Sequence, residues 1–138
     1  AMSKAVWAAV LVGVGGSLGC MARYGLSLAG ARLLPGWPLG TFAANCLGCL
    51  LMGLVTELAG HGSALSPEAR LVLATGFCGG FTTMSAMVAD AGRMLESGHL
   101  MQAAWYLGLT LAGSALAFAL GTAAVRLALR WSGVGAGA

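Results

Sequence analysis

A stretch near the middle of the chain, GGFTTMSAM at residues 79–87, places glycines and hydroxyl residues inside an apolar run. Its hydroxyl and thioether side chains are those of Thr82, Thr83, Ser85, Met84 and Met87. Hydroxyl groups can donate hydrogen bonds to an anion without adding a fixed negative charge. A helix broken at glycines can offer its freed carbonyls to a cation or its freed amides to an anion. The stretch therefore predicts an ion site.

Three further polar side chains, those of Arg23, Asn45 and Asp90, stand within apolar runs. Charged groups at membrane depth are costly and are usually functional. Arg23 has two interpretations: a functional buried charge, or a side chain that reaches up to the membrane interface. Asn45 also has two, a structural bond between helices or a place along an ion path. Asp90 lies about two turns before the end of the third apolar run.

The sequence shows no combination of a nucleophile, a general base and metal ligands that would form a catalytic site. We therefore do not expect an enzyme. The glycine-rich GVGGSLG in the first apolar run departs from the dinucleotide pattern, and no strand precedes it. Four cysteines, Cys20, Cys46, Cys49 and Cys78, all lie in apolar runs. Although Cys46 and Cys49 form a CxxC, we interpret all four as packing residues.

The composition indicates the setting in which these residues must be held. Of 138 residues, 59% are hydrophobic and 8% are charged, whereas a soluble domain carries about a quarter charged residues. A membrane-spanning helix needs roughly 20 apolar residues. The chain predicts an all-α membrane protein with one domain, residues 1–138, and four transmembrane helices at about 5–29, 39–58, 67–95 and 100–129. Ser66-Pro67-Glu68 is typical of a helix start.

The glycine and threonine pairs fall at the centre of the predicted third helix. Counted from Leu71 to Glu96, its midpoint lies between Thr83 and Met84. Non-helical backbone at that depth is tolerated only when it is buried in protein or lines a cavity. We therefore predict a third helix that is broken near the bilayer midplane.

Positive charge shows only a weak excess at one end of the four helices. One end carries Lys4, Arg70, Arg126 and Arg130, and the other carries Arg32 and Arg93, with Arg23 near it. The positive-inside rule gives a defined orientation only with a clear excess. Either another feature enforces a mild preference, or copies of the chain insert in both orientations.

Four stretches together, GGSLGCMARY, WPLGTFAANCLG, TGFCGGFTTMSAM and WYLGLTLAGSALA, give the chain a family resemblance. In order and spacing the chain resembles the Fluc (CrcB-type) fluoride channels over nearly its whole length. The resemblance implies an antiparallel, dual-topology homodimer with two pores, which exports fluoride passively from the cytoplasm. It also implies a multi-pass protein of the bacterial-type plasma (inner) membrane. The expected partners are fluoride, a second copy of the chain and the lipid bilayer, and no nucleic acid.

The same resemblance assigns roles to individual residues. It implies a structural sodium ion at the dimer centre, held by backbone carbonyls of Gly79 and Thr82 from each subunit. It implies pore-lining positions at Asn45, Thr83, Ser85, Tyr106 and Ser114. Arg23 matches the arginine of the family's first helix, and Asp90 stands where relatives often carry glutamate, so these two are candidate vestibule or structural charges.

The chain departs from the family pattern at Met84 and Met87, which replace two phenylalanines whose ring edges are thought to face fluoride. We expect both methionines to line the pore, and the alternative is that they only fill space against a neighbouring helix. Methionine is flexible and lacks the positive ring edge of an aromatic side chain. Two alternatives to an ordinary fluoride channel therefore stay open. One is a variant with altered or lost conduction. The other is a small dual-topology drug exporter, which would need a carboxylate in the first helix, where this chain has none.

Overall fold

The computed structural model of the chain describes residues 3–61 and 65–131. Their helices are α1 (Lys4–Leu33), α2 (Leu39–Gly60), α3 (Pro67–Arg70), a π-helical segment (Leu71–Cys78), α4 (Gly79–Phe81), α5 (Met84–Glu96) and α6 (Leu100–Trp131). Four spans are long and apolar enough to cross a membrane: α1, α2, the third span Pro67–Glu96, and α6. The prediction of an all-helical chain with four long apolar helices is confirmed.

The third span begins as its sequence predicts. The Ser66 hydroxyl accepts a hydrogen bond from the Ala69 amide at 3.1 Å, Pro67 occupies the first turn, and Glu68 adds an acid there. A serine cap, a proline that lacks an N–H, and a negative charge beside the helix amides each stabilise a helix start.

Two short connectors turn the chain at the opposite end of the bundle. Gly36 lies between α1 and α2 with φ +83°, and Gly98 lies between α5 and α6 with φ +78°. Glycine reaches this left-handed backbone region without the steric cost that a Cβ atom brings. The ends of α1, α2, α5 and α6 are therefore brought close together on this side.

Glycines let α1 lie backbone to backbone against the first half of the third span. A Cβ atom added at Gly15 would collide with the carbonyl oxygen of Val72, and one added at Gly19 would collide with that of Phe77. Small residues at helix interfaces permit such close approach in a membrane, where lipid offers no hydrophobic drive for helices to associate.

The α2–α6 pair is packed in the same manner and carries an ion pair near one end. A Cβ atom at Gly53 would meet the Phe118 carbonyl, and one at Gly121 would meet the Leu50 carbonyl. The Arg126 Nε atom lies 2.9 Å from a Glu57 carboxylate oxygen. Spans one and three thus form one close pair, and spans two and four form another.

A buried cluster joins α5 to α6 near the Gly36 and Gly98 connectors. Its members are Met87, Ala91, Met94, Ala103 and Tyr106, with Trp37, Phe42 and Leu107 packed against them. By contrast, a row of large apolar side chains on α1, including Val10, Val14 and Leu18, is exposed in the single chain. Such a surface suits lipid or a second protein surface.

Candidate functional site: an interrupted helix and a polar cavity

The regular backbone of the third span stops between α4 and α5. Thr82 (φ −78°, ψ 153°) and Thr83 (φ −154°, ψ 119°) both have extended backbone. The last carbonyls of a helix lack intrahelical partners. The carbonyls of Gly79 through Thr82 stand at such an end, so they are available to groups from outside the span.

Asn45 of α2 holds the interruption by two hydrogen bonds to one residue. Its Nδ2 donates to the Thr83 carbonyl at 3.1 Å, and the Thr83 amide donates to its Oδ1 at 2.7 Å. The side chain is buried, with the residue 7% exposed. An asparagine amide has two N–H groups and one carbonyl oxygen. The structure therefore shows the interhelical bond, and one Nδ2 hydrogen is left over from this clamp.

The hydroxyl groups of the interruption are engaged locally. Thr83 caps α5, since its Oγ1 accepts from the Ala86 amide at 3.1 Å and lies 3.1 Å from the Ser85 Oγ. Thr82 Oγ1 donates to the Cys78 carbonyl at 2.9 Å. An N-cap hydroxyl satisfies one of the amides that a helix start leaves without a partner. Thr83 and Ser85 thus lie together beside Asn45, as a small polar group.

Arg23 of α1 binds the other side of the interruption. Its Nε donates to the Gly80 carbonyl at 3.2 Å, and the Cys20 thiol lies 3.5 Å from the same oxygen. A cation beside the carbonyl end of a helix is favourable because the partial charge there is negative. Gly79, in contrast, is exposed, and an added Cβ atom there would meet nothing within 4 Å.

The two methionines of the predicted pore are not brought together within one chain. Met84 is 71% exposed, whereas Met87 is 6% exposed and belongs to the buried cluster with Tyr106. Residues three apart on a helix are rotated by about 60° from each other. The edge between the buried and the outer face of α5 runs between them, so a shared channel surface would need a second chain.

Asp90 lies in a buried polar cluster on the connector side of α5. Its two carboxylate oxygens have different partners: Arg93 Nη2 forms an ion pair with Oδ1, and the Tyr106 hydroxyl donates to Oδ2 at 3.2 Å. Tyr106 is fully buried, with its ring edge-on to Trp37 at 5.7 Å between centroids. The predicted candidates Asp90 and Tyr106 are therefore direct partners.

A cavity of about 750 Å³ opens beside this cluster, between the connectors and the ends of α1, α2 and α5. Its polar lining consists of Ser27, Thr41, Asp90, Arg93, Ser97, His99 and Gln102. Sequence reasoning did not select Thr41 or Arg93 as site residues. The signal for Arg93 was its place three residues after Asp90, since oppositely charged side chains at that spacing meet on a helix surface.

Ser114 stands apart from both polar groups. It is half-buried on α6. Eight residues separate it from Tyr106, about 12 Å along a helix. In the described ranges the cysteines are all free thiols, and no group of three or more His, Cys, Asp and Glu side chains could hold a metal ion.

Residues 10–122 match the family described as CrcB-like protein, Camphor Resistance (CrcB). The chain belongs to this family. Among curated relatives, the fluoride-specific ion channel FluC of Chlorobium phaeobacteroides (strain DSM 266 / SMG 266 / 2430) is 43% identical over 121 residues, which are 88% of this chain and 94% of the relative. That of Chlorobaculum tepidum is 44% identical over 118 residues, 86% of this chain and 94% of the relative.

A third relative, the fluoride-specific ion channel FluC of Hyphomonas neptunium (strain ATCC 15444), is 46% identical over 103 residues, 73% of this chain and 81% of the relative. The resemblance to the CrcB-type family is confirmed. In this CrcB-like protein the matched range 10–122 holds the Asn45 clamp, Arg23, the Asp90 cluster and Ser114. The four spans and the family together make the chain a multi-pass membrane protein.

Proposed function

We propose that this CrcB-like protein is a passive, fluoride-selective channel that exports fluoride from the cytoplasm. The observation that carries the proposal is the extended Thr82–Thr83 backbone inside an apolar span, held by the buried Asn45 amide. Relatives that are more than 40% identical over the aligned residues are named fluoride-specific ion channels. The prediction that the chain is not an enzyme is confirmed by the same names.

The chemistry of fluoride explains why such a site suits it. Removing a small anion from water costs tens of kcal/mol by an idealised estimate, so a pore must replace water with other hydrogen-bond donors. The donors proposed here are the remaining Nδ2 hydrogen of Asn45 and the hydroxyls of Thr83, Ser85, Tyr106 and Ser114. Each donates without carrying a negative charge. In this proposal the interruption lies near the bilayer midplane.

The working unit in this proposal is an antiparallel, dual-topology homodimer with two pores. A single chain leaves Met84 exposed beside the interruption, and it leaves the outer row of α1 exposed as well. The weak difference in positive charge between the two ends supports insertion in both orientations. A second copy in the opposite sense would cover the exposed methionine and could bring two channel surfaces together.

A structural sodium ion at the dimer centre is part of the proposal. The fit rests on the carbonyls that the interruption releases: Gly80 is already engaged by Arg23, while Gly79 lies on an open face. Gly79 and Thr82 of each subunit would hold the ion through their carbonyl oxygens, which are suitable ligands for a hard cation. A bound sodium ion would neutralise the negative ends of the two half-helices.

A second candidate is a channel with altered or lost conduction. It is favoured by the different surroundings of Met84 and Met87, which place one thioether in the open and the other in the Tyr106 cluster. A drug exporter is disfavoured, because α1 contains no acidic residue and the buried Asp90 is paired with Arg93. The proposed location is a bacterial-type plasma (inner) membrane.

The deciding experiment is efflux from liposomes that contain the purified protein, with fluoride and chloride measured in parallel by ion-selective electrodes. Rapid fluoride efflux with little chloride efflux is the expected result, and protein-free liposomes are the control. Folded protein that releases neither ion would favour the lost-conduction variant, and equal release of both would refute fluoride selectivity.

Orientation has its own test. An accessible cysteine tag at the C-terminus is labelled in intact cells with a membrane-impermeant reagent, and then again after lysis. About half of the tags should react from outside if copies insert both ways. Labelling confined to one side would refute dual topology while leaving the efflux result unaffected.

A further inference from the structure

A carboxylate beside the proposed anion path poses an electrostatic problem. Asp90 is 8% exposed and lines the polar cavity, where its negative charge would repel an approaching anion. Burial strengthens such repulsion because the effective dielectric constant there is lower than that of water. A channel for anions with this residue in its cavity therefore needs a group that offsets the charge.

Each oxygen of the Asp90 carboxylate has its own partner. Arg93 binds Oδ1 from the same helix, and Tyr106 donates its hydroxyl to Oδ2 from α6. The Arg93 side chain is 69% exposed and also lines the cavity. The positive charge of Arg93 therefore lies on the water-exposed side of the Asp90 carboxylate. The buried Tyr106 hydroxyl, which is neutral, donates to the other carboxylate oxygen.

We propose that Arg93 is a positioning residue for anion conduction, because it neutralises Asp90 and so frees the Tyr106 hydroxyl to turn from the carboxylate to a passing anion. This inference rests on the proposed channel function. A tyrosine hydroxyl has a single hydrogen, which it can give to Asp90 or to an anion but not to both. When the hydroxyl turns away, Oδ2 loses a partner, and the Arg93 ion pair keeps the carboxylate from being left without any compensation.

A simpler role for Arg93 would be long-range attraction of anions to the cavity. Arg32 provides the comparison, since it lies at the same end of the molecule, in the last turn of α1, and is also exposed. Among the described residues it is not part of the cavity lining. Attraction at a distance would depend on both arginines and would weaken with added salt, whereas a contact with Asp90 depends on Arg93 alone.

The test is a double-mutant cycle in the liposome efflux assay. Arg93→Gln should lower fluoride flux by about ten-fold or more, because the lone carboxylate then repels the anion and retains the Tyr106 hydroxyl. Asp90→Asn combined with Arg93→Gln should return flux to within about three-fold of the starting protein, since no charge is left to offset. Arg32→Gln should have no effect, and the loss in Arg93→Gln should persist at high ionic strength.

Several outcomes would overturn the inference. One is an Arg93→Gln variant that conducts as fast as the starting protein, and another is a loss that the added Asp90→Asn change does not repair. If Arg93→Gln does not fold, Asp90→Asn is compared with the double variant, and a ten-fold difference between those two refutes the role. If the folded starting protein conducts no fluoride, the channel proposal itself is refuted. That outcome is distinguishable from a failure of the Arg93 inference, in which the starting protein conducts fluoride.

Discussion

The two halves of the third span are held in place by different physics. The first half, from Pro67 to Phe81, lies against α1 through glycines whose missing side chains let backbones touch. The second half, α5, packs on α6 through the buried Met87 cluster, and it is also joined to other spans by side-chain hydrogen bonds, from Asn45 of α2 to Thr83 and from Tyr106 of α6 to Asp90. Close backbone packing therefore distinguishes the first half, and side-chain hydrogen bonds from α2 and α6 distinguish the second.

This difference predicts different sensitivities. Where two backbones are in contact, any side chain added at a glycine must displace a helix, whether that side chain is polar or apolar. Where side-chain amides and hydroxyls hold the backbone, a change that keeps the shape but alters donors and acceptors is the damaging one. The substitutions below, taken from the largest expected effect to the smallest, test that division.

Asn45→Asp keeps the shape but replaces the Nδ2 donor by an oxygen that faces the Thr83 carbonyl. It also adds a negative charge to the proposed anion path, where like charges ~4 Å apart repel by about 4 kcal/mol at an effective dielectric constant near 20. We expect fluoride flux in liposomes to fall by about a thousand-fold, while the protein still purifies in the dimeric form that we propose. Normal flux would place Asn45 outside the pore and show the clamp to be dispensable.

Gly19→Ala tests the half that is held by shape. The added methyl would collide with the Phe77 carbonyl, so α1 must move, and overpacking of this kind costs roughly 1–3 kcal/mol. Gly13→Ala is the matched control on the same helix, because its methyl would meet nothing within 4 Å. Thermal unfolding in detergent should show a lower midpoint for Gly19→Ala than for Gly13→Ala. Equal midpoints would mean that the two backbones are not in contact.

Thr83→Val and Thr82→Val separate the cap from its neighbour. Thr83→Val removes the hydroxyl that accepts from the Ala86 amide, and loss of an N-cap costs about 1 kcal/mol. Thr82→Val removes only a second donor to the Cys78 carbonyl, which still receives the Thr82 amide, so its cost should stay below about 0.5 kcal/mol. Unfolding in denaturant measures both, and the reverse order would contradict the capping role.

Met84 lies where the polar half begins, and its substitutions should have the smallest effect. In our proposal its thioether stands in the anion path, so Met84→Phe should preserve or raise fluoride flux. Met84→Ile adds β-branching and removes the methyl beside sulfur, and flux should fall by a few-fold at about constant yield. The same pair of changes at Met87 gives the comparison. If both isoleucine variants conduct normally, the two methionines only fill space.

Much of the fold was predictable because hydropathy and length alone define four spans. The glycines and hydroxyl residues of 79–87 also distinguish the stretch in which Thr82 and Thr83 have extended backbone. The π-helical geometry of Leu71–Cys78 was not predictable. Its eight residues are nearly all apolar or small, so their pattern does not distinguish one helical period from another.

The sequence and the family resemblance together named individual candidate residues, but neither named the partners that those residues contact. Asn45 needed hydrogen bonds, yet nothing in the sequence identified the Thr83 backbone, 38 residues away, as the group that would make them. Met84 and Met87 have the same side chain, and their different exposure comes from the neighbouring spans. Asp90 was selected as a costly charge, whereas its partner Tyr106 was named only by the family resemblance, and neither pointed to the other.

The bond from the Thr83 amide to Asn45 crosses from one span to another, and this has a consequence for measuring motion. Most amides of a helical bundle exchange with deuterium when their own helix unwinds. The Thr83 amide can exchange only after its hydrogen bond to the Asn45 side chain of α2 opens. The exchange rate of this one ¹⁵N-labelled threonine amide would therefore report how often the contact between the two spans opens at Asn45.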